Sequence, residues 1–452
     1  MTDAIELPGQ QGAADKLVQS YGHLFRYAVA WRKYIAWDGK RWSAEAGDVI
    51  VRQIWQQHLG DNIRWIAEHV PADERADALA EVAAMSTAQY EGAMLTLCQA
   101  RTAFDFRELD ADRYVLNCEN GVLDLRTGRL SKHTPEAYCT RLAPVAWDPK
   151  AECPLWLEYL DWAMQGDAEL VAYLQRFFGL CLTGDAEHEL AHFFYGEGGN
   201  GKTTVVKTIE ALLGDYACRA PAKILMQSKH EGHPTEKALM CGRRMITFAE
   251  TNENQTIDEQ MLKLVASKDA ISARRMHEDF WNFKPTHKAI LLTNNKPRVR
   301  GQDQGIWRRI VLVPWNASVS EADKDPHLGD RFLPELPGIL RWARDGLQHV
   351  LDASGLNPPK TVQAATAEYR AAEDSVLRWV SEECTESLGA ITLASTLYAA
   401  YQQWAERSNE TYLNQTGFGR RLESAGYAGD KGTGGVRVRK GIRLKRSYGR
   451  VG

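Results

Sequence analysis

At 452 residues the chain is long enough for about two to four domains. With 44% hydrophobic and 25% charged residues it has the make-up of a packed globular protein and not of a disordered one. No apolar run reaches the roughly eighteen residues of a membrane span. The first residues, Met1 to Gln11, lack the basic segment and apolar core of a secretory signal, so a cytoplasmic protein with no membrane partner is expected. The net charge of −4 would by itself count against nucleic acid as a partner, but it is unevenly spread. From Lys431 onward there are eight Lys or Arg and no acid, and a local patch counts for more than the total in binding a phosphate backbone.

Taken in order, the chain opens with a predicted helix over Ala13 to Val18. The aromatic runs on either side of Asp38-Gly39, from Trp31 to Trp42, then predict a β-hairpin with a tight turn. Helical patterns follow over Asp48 to Leu59 and Ala72 to Ala100. Tyr114 to Cys118 and Gly121 to Leu125, punctuated by Asn120-Gly121 and Thr127-Gly128, predict short strands. The aromatic residues suit either a base-stacking surface or the core of a small β unit, and the second is the plainer reading because aromatics dominate small cores. Asp110-Ala-Asp112 has the look of a two-carboxylate metal motif but stands in a polar segment with no His or further acid beside it. The eight cysteines show no C-x-x-C spacing, which speaks for reduced, buried thiols over a zinc site.

Pro144, Pro149 and Pro154 break the chain before two predicted helices, Pro154 to Gln165 and Glu169 to Leu182. A strand then leads into Gly196-Glu197-Gly198-Gly199-Asn200-Gly201-Lys202-Thr203-Thr204, which satisfies G-x-x-x-x-G-K-[ST] without a mismatch. Glycines let successive backbone N–H groups turn inward around phosphate, and the predicted helix from Thr203 to Leu213 adds the partial positive charge of its N-terminus. Lys202 is expected to reach the β- and γ-phosphates and the Thr203 hydroxyl to ligate Mg²⁺, so ATP and Mg²⁺ are the expected cofactors. Such a loop serves kinases, GTPases and motors alike, and the residues after it must decide.

Arg244 to Glu250 is an apolar strand ending in an acid, placed where Glu250 can hold Mg²⁺ or polarise the attacking water. A second strand, from Lys288, ends at Asn294, whose amide can sense the γ-phosphate. Arg308 and Arg309 precede a third apolar strand. Either could bridge a surface carboxylate, or could enter a neighbouring subunit's site as a finger.

In wording and order these segments resemble the phage/plasmid/poxvirus primase-helicase family, whose motor is a superfamily 3 helicase. The resemblance runs through GEGGNGKTT (196–204), FAET (248–251), KDAISARR (268–275), FKPTHK (283–288), LTNNKP (292–297) and WRRI (307–310), with NGVLDLRTG (120–128) and CPLW (153–156) upstream. It covers roughly residues 10 to 315. It implies a six-membered ring with an AAA+-like P-loop core, in which Lys202 and Thr203 are the Walker A residues, Glu250 the Walker B acid, Asn294 the sensor, and Arg309 or Arg308 the finger acting in trans. It also implies a pore hairpin with strands at Ile271 to Met276 and Phe280 to Lys284 and a tip at His277 to Asp279. Arg274, Arg275, His277 and Lys284 would then grip DNA phosphates. Ala249 stands where a second Walker B acid is common, and Ser267-Lys268 where relatives carry a glycine pair. The recognisable segment leaves no room for the family's primase domain, so primer synthesis is not expected.

Residues 376 to 452 predict three helices and a basic, glycine-turned two-stranded wing. They suggest a winged-helix domain in which Arg420, Arg421, Arg437 and Arg439 meet phosphates. The expected architecture is therefore α/β. It has an α+β domain over 1–152, the ATPase over 153–350, a linker over 351–372 and the winged helix over 373–452. The expected function is an ATP-driven ring helicase, a homo-hexamer on single-stranded and duplex DNA, in phage or plasmid replication within a bacterial host, beside a separate primase or polymerase. Two other readings stay open: an ATP-regulated initiator or DNA-binding adaptor that does not unwind, and a small-molecule kinase on the same loop.

Overall fold

The computed structural model describes residues 9–228, 234–249, 255–274, 280–301, 304–320, 325–408, 412–432 and 435–445. The N-terminal unit opens with α1 (Gly9–Tyr21), β1 (Phe25–Ala28), β2 (Lys33–Trp37) and β3 (Trp42–Ser43). The hairpin at Asp38-Gly39 forms as expected. The Asp38 carboxylate accepts from the backbone N–H groups of Lys40 and Arg41, both at 2.8 Å, and Gly39 takes a left-handed φ of 103° that a side chain would resist. Helices α2 (Gly47–His69), α3 (Arg75–Met85) and α4 (Ala88–Arg101) follow, and β4 (Ala103–Phe104) completes a sheet of order β3-β2-β1-β4. The aromatic residues are mostly core: Phe25, Tyr34, Trp42 and Trp55 are buried in and beside this unit. A meander of β5 (Val115–Cys118), β6 (Gly121–Asp124) and β7 (Leu130–Ser131) comes next, Asp112 being paired with Arg126 at 3.3 Å.

Two helices lead into the main sheet, α5 (Pro154–Ala163), with proline in its first turn, and α6 (Ala168–Cys181), capped by the Asp167 carboxylate. The sheet is built from β8 (Ala191–Tyr195), α7 (Lys202–Leu213), β9 (Ala217–Pro221), α8 (Pro234–Ala238), β10 (Met245–Ala249), α9 (Glu259–Val265), the hairpin β11 (Ile271–Ala273) and β12 (Trp281–Phe283), β13 (Lys288–Thr293), α10 (Gln304–Trp307) and β14 (Ile310–Pro314). Its five strands run parallel in the order β14-β8-β13-β10-β9. Strands β8, β10, β13 and β14 are buried almost throughout, the near-continuous apolar pattern of a sheet covered on both faces.

After α11 (Leu328–Arg331), helix α12 (Leu336–Ala353) crosses α6 at a glycine-to-glycine contact. A Cβ on Gly179 would overlap the Ala343 carbonyl, and one on Gly346 the Gln175 carbonyl. Residues 360–372, expected as linker, form a helix instead, α13 (Lys360–Ala372). Pro358-Pro359 ends one segment and starts this helix, and α13 covers the outer edge of β14, where the Leu312 N–H donates to Thr366 Oγ1 at 3.0 Å.

The C-terminal unit reads helix, strand, helix, helix, strand, strand: α14 (Ser375–Glu383), β15 (Cys384–Leu393), α15 (Ala394–Arg407), α16 (Gln415–Ser424), β16 (Gly429–Lys431) and β17 (Arg437–Leu444). Its three-stranded antiparallel sheet has the order β15-β17-β16. The three helices follow the sequence expectation; the segment from Gly432 onward, expected as a two-stranded wing, holds one described strand, β17, which pairs with β16 just before it and with β15, and neither β15 nor β16 was predicted. Trp379, Tyr401, Phe418, Leu422 and Ile442 form the core of this unit, with the Tyr401 and Phe418 rings stacked at 4.8 Å.

The α6–α12 crossing yields a direct test. Alanine at Gly346 gains about 1 kcal/mol of helix propensity but must push two backbones apart, an overpacking cost of about 1–3 kcal/mol. Gly346→Ala is expected to lower the denaturation midpoint in guanidinium; a raised midpoint would contradict the close approach.

Candidate nucleotide site

Strand β8 delivers its carboxyl end into a glycine-rich turn, and α7 starts immediately after it. Gly199 and Gly201 adopt φ of 77° and 87°, positions that exclude ordinary side chains without strain. Gly196 has no room for a Cβ because the Trp315 carbonyl lies against it. The loop is clasped from the far side by the segment after β14: Asn200 Nδ2 donates to Trp315 O at 3.0 Å, and the Val319 N–H donates to Gly199 O at 3.1 Å. Neither clasp was legible in the sequence, since each ends on a backbone carbonyl of a segment distant in the chain.

Lys202 is buried beneath this loop. Its ammonium donates to Gly196 O at 2.8 Å and to Glu197 O and Asn200 Oδ1 at 3.3 Å, all neutral oxygens. Burial pushes its pKa down. A Lys side chain held among uncharged acceptors within a glycine-rich turn at a helix N-terminus fits an anionic phosphate chain. Thr203 is exposed at the first turn of α7, where its hydroxyl could serve a cation.

The neighbouring strands end beside the loop. The register pairs Tyr195 with Thr293, and Asn294 follows, exposed, at the tip of β13. Lys296, two residues on, lies over the Tyr195 ring at 4.6 Å and brings a further cation to the same end. Strand β10 ends at Ala249; Glu250 lies outside the described residues.

Arg308 and Arg309 are at the other end of the sheet. Arg309 directly precedes β14, whose Ile310 pairs with Ala191 at the start of β8. The five residues of β8 separate the pair from the phosphate loop by about 17 Å, further than an arginine side chain extends. The two differ in exposure. Arg309 is 12% exposed, donates to Gly305 O at 2.7 Å and meets Glu189 at 3.4 Å; Arg308 is 64% exposed, with Glu189 at 3.6 Å.

In the expected hairpin, β11 and β12 pair antiparallel, Ile271 with Phe283 and Ala273 with Trp281. Arg274 lies half-buried beside the exposed Phe280 ring, 5.1 Å from its centre, and Lys284 is exposed. Arg275, His277 and the rest of the tip lie outside the described residues. In the C-terminal unit, Arg420 and Arg437 are exposed, but Arg421 and Arg439 are committed within the fold. Arg421 pairs with Asp374, which is 1% exposed and caps α14, while Arg439 donates to Gly419 O at 2.6 Å and Tyr427 O at 3.0 Å. Each thus satisfies oxygens of its own unit, whereas Arg420 and Arg437 stay exposed.

Two residues of the FKPTHK segment are likewise structural. His287 is buried and held neutral, its pKa pushed down to about 4, and its Nε2–H donates to Val265 O at 3.0 Å. Lys288 is buried and gives its N–H groups to the carbonyls of Thr183, Asp185 and Thr286.

Three family models match in succession. The D5 N terminal like family matches residues 14–165, a family of unknown function (DUF5906) matches 194–309, and the Poxvirus D5 protein-like family matches 371–428. The second spans the phosphate loop through to Arg309. Among curated relatives, "Putative helicase L207/L206" of Acanthamoeba polyphaga mimivirus is 27% identical over 290 residues, 58% of this chain and 30% of that protein. "Putative primase C962R" of African swine fever virus is 23% identical over 327 residues, 66% of this chain and 34% of that protein. "Putative helicase 022R" of Frog virus 3 is 24% identical over 238 residues, 48% of this chain and 24% of that protein. The chain thus spans about a third or less of the length of these relatives. Among solved structures, the apo structure of the NrS-1 C terminal region (305-718) superposes with a TM-score of 0.52 at 10% identity, covering 97% of this chain and 100% of that one, a likeness of fold. Together these matches fit the primase-helicase family that the motifs resemble. Among the described residues no helix is long and apolar enough to cross a membrane.

Burial pushes the Lys288 amine down to about 7, against roughly 10.4 in an unfolded chain. Between those values the unfolded chain binds more protons, so stability rises with pH. The window from about pH 7 to about pH 8.5 lies above ordinary imidazoles and below ordinary thiols. Over it, unfolding free energy is expected to increase by roughly 2 kcal/mol in the full chain and to flatten in Lys288→Met. A falling or flat wild-type profile in urea titrations would contradict the burial of a charged amine here.

Proposed function

We propose that the chain is the ATP-hydrolysing motor of a replicative helicase acting on DNA. The observation that carries this reading is Lys202, buried among neutral oxygens within a glycine turn at the carboxyl end of a central parallel strand. Ligands of open parallel sheets bind at that edge, where the chain crosses from one side of the sheet to the other.

In this reading Gly196, Glu197, Gly198, Gly199, Asn200, Gly201 and Thr204 frame the phosphates, and Lys202 neutralises the β- and γ-groups. Thr203 and Glu250 would hold Mg²⁺, which when bound supplies charge neutralisation across the phosphate oxygens. Asn294, exposed at the tip of β13, orients the attacking water. Arg308 and Arg309 lie too far from their own loop to act on it, so a neighbouring copy in a ring, a homo-hexamer in the family resemblance, receives the guanidinium. Arg308, the more exposed of the two, is the better placed to leave its Glu189 contact.

DNA contact is assigned to the β11–β12 hairpin through Arg274, Arg275, His277 and Lys284. It is assigned as well to the C-terminal unit, whose order of helices and strands suits a winged helix, through Arg420 and Arg437. The relatives named as helicases and primases support a role in replication of a phage, plasmid or viral genome, with a separate primase or polymerase as partner.

ATPase turnover of the wild type and of Lys202→Ala, with and without single-stranded DNA, tests the reading. Wild-type turnover is expected to rise with the strand, and Lys202→Ala to lose at least about a hundredfold in rate. Lys202-dependent hydrolysis indifferent to DNA would favour the ATP-regulated initiator or adaptor instead.

A further inference from the structure

Beside the phosphate loop lies a cleft that the motifs do not account for. One wall is the last turn of α5, with Asp161 and Trp162, and the residues just after it, Gln165 and Gly166; the other is the segment after β14, with Ala317 and Ser318. Gln165 Nε2 ties the walls together by donating to Asn316 O at 3.3 Å. The same post-β14 segment clasps the phosphate loop through Trp315 O and the Val319 N–H, so the cleft and the loop share one wall.

The floor of contact is aromatic. Tyr159 and Trp162 stack at 5.3 Å and 29°, and Tyr159 is half-buried, its hydroxyl engaged with the Thr204 side chain. Trp162 instead keeps 37% of its surface exposed at the last glycine of the loop. A Cβ on Gly201 would come within 2.7 Å of the Tyr159 hydroxyl and 3.2 Å of the Trp162 ring. An indole face left in solvent within contact distance of a phosphate loop is unusual for a residue that normally buries its area.

The polar groups of the cleft are a carboxylate, an amide and a hydroxyl, from Asp161, Gln165 and Ser318, with no Lys or Arg among the lining residues. That chemistry suits a flat, uncharged, hydrogen-bonding ring and not a second anion. We infer that this cleft holds the nucleobase of the triphosphate, with the exposed face of Trp162 as its stacking platform and Asp161, Gln165 and Ser318 as the polar groups within reach of the base and ribose. The assignment rests on the phosphate-loop reading above.

The test is binding to the full chain without turnover, by calorimetry, of ATP and of inorganic tripolyphosphate. Trp162→Ala and Trp162→Leu, the second keeping the apolar bulk, are each expected to weaken ATP by about tenfold or more, the loss of one base–aromatic stack. Trp162→Phe keeps a ring and is expected to stay close to wild type. Tripolyphosphate affinity is expected to be the same in all four proteins. Unchanged ATP affinity in Trp162→Leu would overturn the inference, as would an equal loss for tripolyphosphate, which would make Trp162 a prop of the loop. A wild type that binds tripolyphosphate but not ATP would also overturn it. Binding of neither ligand by the wild type would overturn the phosphate-loop reading itself.

Discussion

Strand β8 is hydrogen-bonded along both edges, to β13 and to β14, and the chemistry of the molecule is laid out by that placement. A strand held on two sides has its ends fixed in register with its neighbours. The glycine turn after Tyr195 therefore emerges beside Asn294 and Trp315, while Arg309 meets the start of the strand at Ala191. The phosphate loop and the arginine pair are consequently kept at opposite edges of one rigid sheet. On the proposed reading, hydrolysis that uses both takes two copies side by side.

The amino ends of the strands are secured by an arrangement that is electrostatically costly and geometrically specific. Arg244, just before β10, is buried, reaches the carbonyls of Leu182 and Val115 and lies over the Tyr216 ring at 4.2 Å. Lys288, at the start of β13, reaches Thr183 and Asp185. Leu182 and Thr183 follow α6 directly, so both side chains meet carbonyls at the negative end of that helix. Val115 belongs to the β5–β7 meander. The same two side chains thus tie the sheet to α6 and to the β5–β7 meander, and their desolvation is offset by hydrogen bonds to backbone carbonyls.

Much of this was legible from residue order. The phosphate loop, its strand and helix, the Asp38-Gly39 hairpin and the three C-terminal helices all have local signatures, and each signature is a backbone requirement that few residue types meet. Helix α13 was hidden because Pro358-Pro359 reads as a boundary, and the same proline pair also starts a helix. Strand β15 was hidden because its residues are mostly exposed, so no alternation marks it. The partners of Arg421 and Arg439 within the fold were hidden for a different reason: a basic run shows charge but not which oxygens the guanidinium groups meet once folded. The Trp162 cleft had one faint signal, two aromatics three residues apart on α5, which sequence alone does not separate from core.

The claim on which the account turns is that a loop in one copy is served by an arginine from the next. Mixing Lys202→Ala with Arg308→Ala, each deficient in ATPase alone, tests it directly once co-assembly is shown. The account predicts that the mixture recovers activity, because some interfaces then combine an intact loop from one protein with an intact arginine from the other. A mixture no more active than the average of its two components would contradict it.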